Sequence, residues 1–162
     1  ALTPIHNAYP DKHLYFTEQW VGGPGNFPAD LSWHVSQLII GATRNWCRNG
    51  LEGNLAATAD YKPHPVGGCT SCLGAITIGD DYTRNVAYYI IAHASKFVRP
   101  GSVRIDSNIQ EPLQNVAFKT PDGKKVLIVL NAGTTAQSFN IKYNGKSVTP
   151  QLAAGAVGTF VW

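Results

Sequence analysis

The chain of 162 residues is 44% hydrophobic, which is enough to bury the core of one ordinary domain. Charged residues make up 14%, below the usual share of about 25%, and Gly and Pro are plentiful. This profile is typical of a secreted or periplasmic protein rich in loops. The 13 basic and 10 acidic residues are scattered, so no nucleic-acid partner is expected. No apolar run approaches the roughly 20 residues of a membrane span.

The start of the chain suggests processing. It opens on Ala1, contains no Met, and lacks the apolar segment of a secretory signal. We therefore expect a processed or excised piece of a longer protein.

The first hundred residues alternate between short strands and helices. Apolar side chains at i, i+3/i+4 and i+7 predict the helices, and short β-type runs between turn residues predict the strands. Strand, helix, strand, helix is the order of a parallel βα array, whose strands are buried on both faces. The predicted elements are a strand over 13–17, a helix capped by Asp30 or Ser32 and running to 44, a weaker strand over 50–56, a loop over 58–81 and a helix over 83–98.

From residue 101 onwards the pattern consists of strands and turns only, which predicts an antiparallel β-sandwich. Asn144-Gly145 is a strong signal for a two-residue hairpin, and the apolar run at 126–130 predicts a central strand. No carboxylate cluster or metal-ligand spacing occurs here, so we expect this part to give structural support. The predicted strands cover 102–106, 115–119, 125–131, 137–143, 147–151 and 157–162.

Glu18 is the carboxylate best placed for chemistry. It directly follows the first predicted strand and precedes a Gly/Pro-rich loop, and active residues of parallel βα barrels lie at the C-terminal ends of strands. A carboxylate near an aromatic ring, here Trp20, suits glycoside hydrolysis, because the anion attacks the anomeric carbon while the ring supports a sugar face. The alternative is an ordinary solvated Glu at a strand end.

Four segments of the chain resemble glycoside hydrolase family 30, the group that includes glucosylceramidase and β-1,6-glucanases. The resemblance implies an α/β part plus an all-β part: the last βα units of a (β/α)8 barrel in residues 1–100, then a β-sandwich domain in residues 101–162. It also implies a retaining β-glycosidase that acts on a β-linked glucoside or glucan, with Glu18 as the nucleophile and no metal or other cofactor. The segments are HLYFTEQW at 13–20, EGNLA at 52–56, AYYIIAHASKFVR at 87–99 and KKVLIVLNAG at 124–133.

Two features depart from the family pattern. The family's general acid/base is a Glu in an Asn-Glu-Pro setting, and this tripeptide does not occur in the chain. Retaining hydrolysis needs two carboxyl groups about 5–5.5 Å apart. We therefore expect the missing N-terminal part of the barrel to be a partner that supplies the second one. In addition, Gly53 stands where the family usually has Trp, which removes an aromatic wall.

Trp20, Trp46 and Asn54 are the candidates for substrate binding. The Trp rings offer planes for sugars, and the Asn54 amide is placed to reach a hydroxyl group from a strand end, the alternative being a turn or ladder residue. Glu52 is the other carboxylate near the expected site, with Arg48 as its expected ion-pair partner. We favour a positioning role for Glu52 over a role as the acid.

The pair Cys69 and Cys72 predicts a disulfide within a loop, in an oxidising compartment. The alternatives are a zinc site, for which a second pair of ligands is absent, and a redox motif, which would stand at a helix start. Cys47 is then unpaired and buried. His34 and His93 are expected to be packing or surface residues on helices.

Three hypotheses follow for the chain. As part of an enzyme, it carries the nucleophile of a glycosidase. As a binding module, it holds glycan through exposed Trp rings without turnover. As a structural fragment, it completes a barrel with another chain, because two βα units leave apolar strand faces uncovered.

Overall fold

A computed structural model describes residues 2–162. The chain divides into two compact units, the first ending at Lys96 and the second covering Phe97–Trp162. In the described part of the chain, no helix is long and apolar enough to cross a membrane. The first unit comprises α1 (Leu2–Ala8), β1 (Leu14–Gly22), α2 (Phe27–His34), a π-helix (Val35–Ala42), β2 (Cys47–Gly53), β3 (Ala56–Ala57), β4 (Cys72–Leu73), β5 (Ile76–Ile78), β6 (Tyr82–Arg84) and α3 (Val86–Ser95).

Strands β1 and β2 lie side by side and run in the same direction, as the predicted βα array requires. Strand β1 extends over nine residues instead of the five predicted, so Glu18 lies inside the strand and not after it. Strand β2 begins at Cys47, three residues before the predicted start. The pairing has two register shifts, and its partners are Leu14 with Cys47, Phe16 with Gly50, Gln19 with Glu52 and Trp20 with Gly53.

Helix α2 begins earlier than the sequence predicted. Its N-cap is Asn26, whose side chain accepts a hydrogen bond from the backbone N–H of Ala29 at 3.1 Å. The prediction of Asp30 or Ser32 as the cap was wrong, because the Asp30 carboxylate instead accepts from the backbone N–H of Asn26 at 2.6 Å. Beyond His34 the helix continues with the wider π-type pattern to Ala42, and this segment carries most of the buried apolar side chains of the element.

The end of β1 is tied to a loop that a disulfide closes. Short strand β4 pairs antiparallel with β1, so that Val21 faces Leu73 and Gly22 faces Cys72. Cys72 forms a disulfide with Cys69, as the sequence predicted, and the bond uses both sulfur atoms that a zinc site would need. Cys47 is the buried free thiol.

The second unit contains an antiparallel four-stranded sheet in the order β14-β9-β8-β7, with two short hairpin-like pairs, β10 with β13 and β11 with β12. The predicted central strand coincides with β9, but the predicted strands 137–143 and 147–151 are each divided in two. The strands of this unit are β7 (Val103–Ile105), β8 (Leu113–Lys119), β9 (Lys125–Asn131), β10 (Gln137–Ser138), β11 (Ile141–Tyr143), β12 (Lys146–Val148), β13 (Gln151–Leu152) and β14 (Val157–Val161).

Asn131, the last residue of β9, is fully buried, and its side chain joins two segments, 133–135 and 152–153. Its Nδ2 group donates to the backbone carbonyl oxygens of Thr135, Leu152 and Ala153 at 2.8–3.1 Å. Its Oδ1 accepts from the backbone N–H of Gly133 at 3.0 Å. One buried amide therefore forms hydrogen bonds with four backbone groups.

Replacing Asn131 tests this role. We expect Asn131→Ala to lower the free energy of unfolding by about 2–4 kcal/mol, because it leaves several buried carbonyl groups unsatisfied. Thermal unfolding followed by circular dichroism measures the effect. The matched control is Asn140→Ala at an exposed position whose side chain accepts one hydrogen bond, from Thr149, and we expect it to cost less than about 1 kcal/mol. Equal losses in the two variants would contradict the assignment.

Counting thiols tests the cysteine pairing. Burial raises the pKa of the Cys47 thiol, so little reactive thiolate forms at neutral pH. We expect no thiol to react with Ellman's reagent in the folded protein, one to react in denaturant, and three after reduction. Three reactive thiols in denaturant without reductant would show that the disulfide is absent.

Candidate active site

The candidate site lies on the exposed face of β1 and β2, toward their C-terminal ends. Side chains alternate along a strand, so Glu18 and Trp20 share one face while Gln19 and Val21 point to the other. Glu18 is exposed and Val21 is buried, in agreement with this alternation. Because the strands are parallel, Gly53, the register partner of Trp20, belongs to the same end of the sheet.

Trp20 and Gly53 together leave room beside Glu18. The Trp20 ring lies over Gly22, since a Cβ built at Gly22 would be 3.2 Å from Trp20 Cζ3. A Cβ built at Gly53 would meet nothing closer than the Gln19 carbonyl oxygen at 3.9 Å. The Trp20 side chain is 40% exposed. An aromatic plane is therefore open to solvent two residues from the carboxylate.

Tyr61 closes the edge of the site next to the end of β1. A Cβ built at Gly23 would lie 2.3 Å from Tyr61 Cε1, so the ring packs directly against this glycine. The backbone N–H of Gly23 also donates to the Ser71 carbonyl at 2.7 Å. The sequence predicted only that Tyr61 lies in the long loop over residues 58–81. The structure brings it to the segment that follows Glu18.

A compact turn holds Tyr61 in place. The backbone N–H of Tyr61 donates to the Thr58 carbonyl at 2.9 Å, and that of Thr58 donates to the Lys62 carbonyl at 2.8 Å. Hydrogen bonds from Lys62 and from the Thr58 hydroxyl lower the pKa of the exposed Asp60 carboxyl to about 2. The turn therefore keeps its charged pairing across the physiological pH range.

Glu52 lies on the face opposite Glu18. Its Oε1 is 2.5 Å from Nδ1 of His34, with side chains 3% and 6% exposed, respectively. The prediction of Arg48 as the partner was wrong, because the Glu52 carboxyl group instead forms a hydrogen bond with His34 on α2. The positions are eighteen residues apart, and only the folding of α2 onto the sheet brings them together. The sequence carried no signal for this pair.

The structure separates the other two predicted binding residues. Asn54 follows Gly53 at the end of β2, and its carbonyl accepts from the backbone N–H of Ala75 at 2.8 Å. Trp46 directly precedes β2 and therefore lies at the opposite end of the strand pair, with its ring stacked on His6 at 3.9 Å between centroids. Cys47 pairs with Leu14, four residues before Glu18, which corresponds to about 13 Å along a strand.

Residues 101–160 match the model of the glycosyl hydrolase family 30 β-sandwich domain. The endo-1,6-β-D-glucanase neg1 of Aspergillus fumigatus is 32% identical over 140 residues, covering 81% of this chain and 28% of the relative. The lysosomal acid glucosylceramidase of Mus musculus is 24% identical over 174 residues, covering the whole chain and 33% of the relative. Residues 101–160 are therefore a glycosyl hydrolase family 30 β-sandwich domain, and the chain is similar over most of its length to a known β-glucanase. The resemblance stated from the sequence is thereby confirmed.

A solved structure shows the same similarity. The endo-β1,6-glucanase BT3312 superimposes with a TM-score of 0.87 and 29% sequence identity, over 99% of this chain and 38% of that one. The chain spans about a third or less of the length of the curated relatives it matches. Its relatives are glycoside hydrolases, and the β-sandwich assignment of the second unit is confirmed.

Two glycine substitutions test the geometry around Glu18. We expect Gly23→Ala to destabilise the protein by about 1–3 kcal/mol, since the new Cβ overlaps the Tyr61 ring. Gly53→Ala is the matched control and is expected to change stability by less than about 0.5 kcal/mol, because its Cβ enters open space. Thermal unfolding of both variants measures the difference. The double variant Gly23→Ala/Tyr61→Ala should lose the overlap. If Gly23→Ala, Gly53→Ala and the double variant were equally stable, this would show that Tyr61 does not pack on Gly23.

Proposed function

We propose that this chain supplies the catalytic nucleophile, Glu18, of a retaining β-glycosidase that acts on β-linked glucosides or glucans. The first unit is proposed to form the last βα units of a (β/α)8 barrel. The observation that carries the proposal is the placement of Glu18 with Trp20 on the open face of two parallel strands, toward their C-terminal ends. This is the end at which active residues of βα barrels lie.

The chemistry follows from the carboxylate and the ring. The Glu18 carboxylate attacks the anomeric carbon while the glycosidic bond breaks and a general acid protonates the departing oxygen, and water then hydrolyses the glycosyl-enzyme and releases the carboxylate. Trp20 offers a flat apolar surface for one face of the sugar ring, and Asn54 follows the adjacent strand as a candidate hydrogen-bonding group for a hydroxyl. Trp46 remains a candidate for contact with a more distant part of a glucan chain.

The general acid/base is proposed to come from residues outside this chain. Retaining hydrolysis needs two carboxyl groups about 5–5.5 Å apart on one face. The carboxylate of Glu52, on the strand next to Glu18, is buried against His34 on the other face of the sheet. We therefore propose that the N-terminal part of the barrel is the partner that supplies the second carboxyl group.

The relatives narrow the substrate class. The relatives are endo-1,6-β-glucanases and a glucosylceramidase, so their names give β-1,6-glucan and glucosylceramide as substrates. The disulfide between Cys69 and Cys72 supports action outside the cytosol, in a secreted or periplasmic setting, because cytosolic thiols are kept reduced.

One observation also favours glycan binding without turnover as a second candidate. Trp20 and Trp46 are 40% and 42% exposed, as sugar-stacking rings of a binding module must be. Binding without hydrolysis in the full-length protein would favour this function. A purely structural role, completing a barrel with another chain, would give neither binding nor hydrolysis.

Covalent trapping tests the role of Glu18. The full-length protein that carries this chain is treated with an activated 2-deoxy-2-fluoro-β-glucoside, digested, and mapped by mass spectrometry. We expect the label on Glu18, because fluorine at C2 slows both formation and hydrolysis of the glycosyl-enzyme, whereas an excellent leaving group speeds its formation alone, so the intermediate accumulates. Label on another residue, or no label in a protein that hydrolyses β-glucosides, would overturn the proposal.

Substitution gives the matching kinetic result. We expect Glu18→Gln to lower kcat by at least about a thousandfold, because the neutral amide cannot form the glycosyl-enzyme. The control is Glu111→Gln, an exposed carboxyl of the second unit, which should retain wild-type kcat. Substrate turnover and thermal unfolding are measured for both, so that a loss of activity is separated from a loss of fold.

A further inference from the structure

The proposed function leaves the buried pair of Glu52 and His34 without a role. One carboxylate oxygen, Oε1, contacts His34 Nδ1 at 2.5 Å, while the other, Oε2, is buried without a hydrogen-bond partner. Removing a carboxylate from water costs several kcal/mol, and attraction to one partner offsets this only when the remaining lone pairs are also satisfied. In Glu52 only one of the two carboxyl oxygen atoms has a hydrogen-bond partner.

Stability alone does not explain such a pair. Replacing both partners of a buried hydrogen bond by apolar side chains of similar shape is often neutral or stabilising. Groups that break the usual rules of burial are concentrated at functional sites.

The Glu52–His34 pair lies next to the strand pairing that determines the orientation of the Glu18 side chain. Glu18 stands within a register shift, between the pairs that Phe16 and Gln19 make with β2. No ladder pair of its own holds it, so its orientation depends on the next pair along the strand. That pair joins Gln19 to Glu52.

His34 connects this point to the helix. It is the last residue of α2, the helix that follows β1 in the chain, and it is almost fully buried. Through Glu52, the end of β2 is therefore fastened to α2. The residue on β2 that contacts His34 is therefore the one that pairs with Gln19, next to Glu18.

We propose that Glu52 and His34 are positioning residues for Glu18, an inference that rests on the proposed function. Side chains alternate across the sheet, so the Glu52 carboxylate faces away from Glu18 and touches neither substrate nor reacting atoms. The pair acts through the backbone. His34 fixes the position of Glu52 through their contact, and Glu52 keeps Gln19 in its register with β2. This register orients the Glu18 side chain toward the open face.

The test measures the rate at which Glu18 is labelled by an activated 2-deoxy-2-fluoro-β-glucoside in the full-length protein, over a range of reagent concentrations. In Glu52→Ala we expect the maximal labelling rate to fall about a hundredfold while the concentration for half-maximal rate stays unchanged, because a misplaced nucleophile lowers reactivity and not binding. Glu52→Gln keeps an acceptor for His34, and we expect it to restore the rate to within about threefold of wild type.

A structural role gives a different result. If the pair only stabilises the fold, folded Glu52→Ala labels at the wild-type rate, and this outcome overturns the inference. Should Glu52→Ala not fold, Glu52→Asp decides, because its side chain is one methylene shorter. We expect about tenfold slower labelling for it, and a wild-type rate would overturn the inference. Absence of label on Glu18 in wild-type protein would instead refute the proposed function, and the inference with it.

Discussion

The parallel pairing of β1 with β2 is the constraint on which the first unit depends. Two parallel neighbours need a crossover between them, and α2 with the π-helix provides it. The crossover covers one face of the pair with apolar side chains and leaves the other face open. The direction of the strands then determines where the candidate site residues lie. Glu18, Trp20 and Gly53 lie toward one end of the strand pair, and Trp46 lies at the other.

The pairing of β1 with β2 is also irregular, and the irregularity determines which side chains of β1 are exposed. Two register shifts occur within nine residues of β1. A shift turns the strand locally, so that Thr17 and Glu18 are both exposed although they are adjacent in sequence. A regular ladder would have pointed one of them toward the helices. The open face thus gains a side chain that a strictly alternating strand would have hidden.

Features with local causes could be predicted from the sequence. The βα order, the central strand β9 and the disulfide between Cys69 and Cys72 follow from periodicity, apolar runs and cysteine spacing, and all are present in the structure. The start of α2 was predicted incorrectly, because Asn26 and Asp30 are both good caps and only the geometry of the preceding loop selects between them. The ends of the strands also differ from the predicted ones, because pairing with a distant segment extends β1.

The candidate site was predicted in part. Glu18 and Trp20 were chosen from their position beside a Gly-rich loop. The partner of Glu52 could not be found, because a buried contact between residues eighteen positions apart depends on helix packing and leaves no trace in local spacing. The packing of Tyr61 on Gly23 is of the same kind: a loop without periodicity reaches its place only through turn geometry and a disulfide.

The cysteine arrangement protects the sulfur atoms of the chain from oxidation. The sequence has three Cys and no Met, so these are its only sulfur atoms. Two of them are already joined to each other, and the third is buried. Peroxide attacks exposed thiolates and thioethers first. This surface offers it neither, so the polypeptide can remain in an oxidising environment without acquiring sulfenic acid or sulfoxide groups.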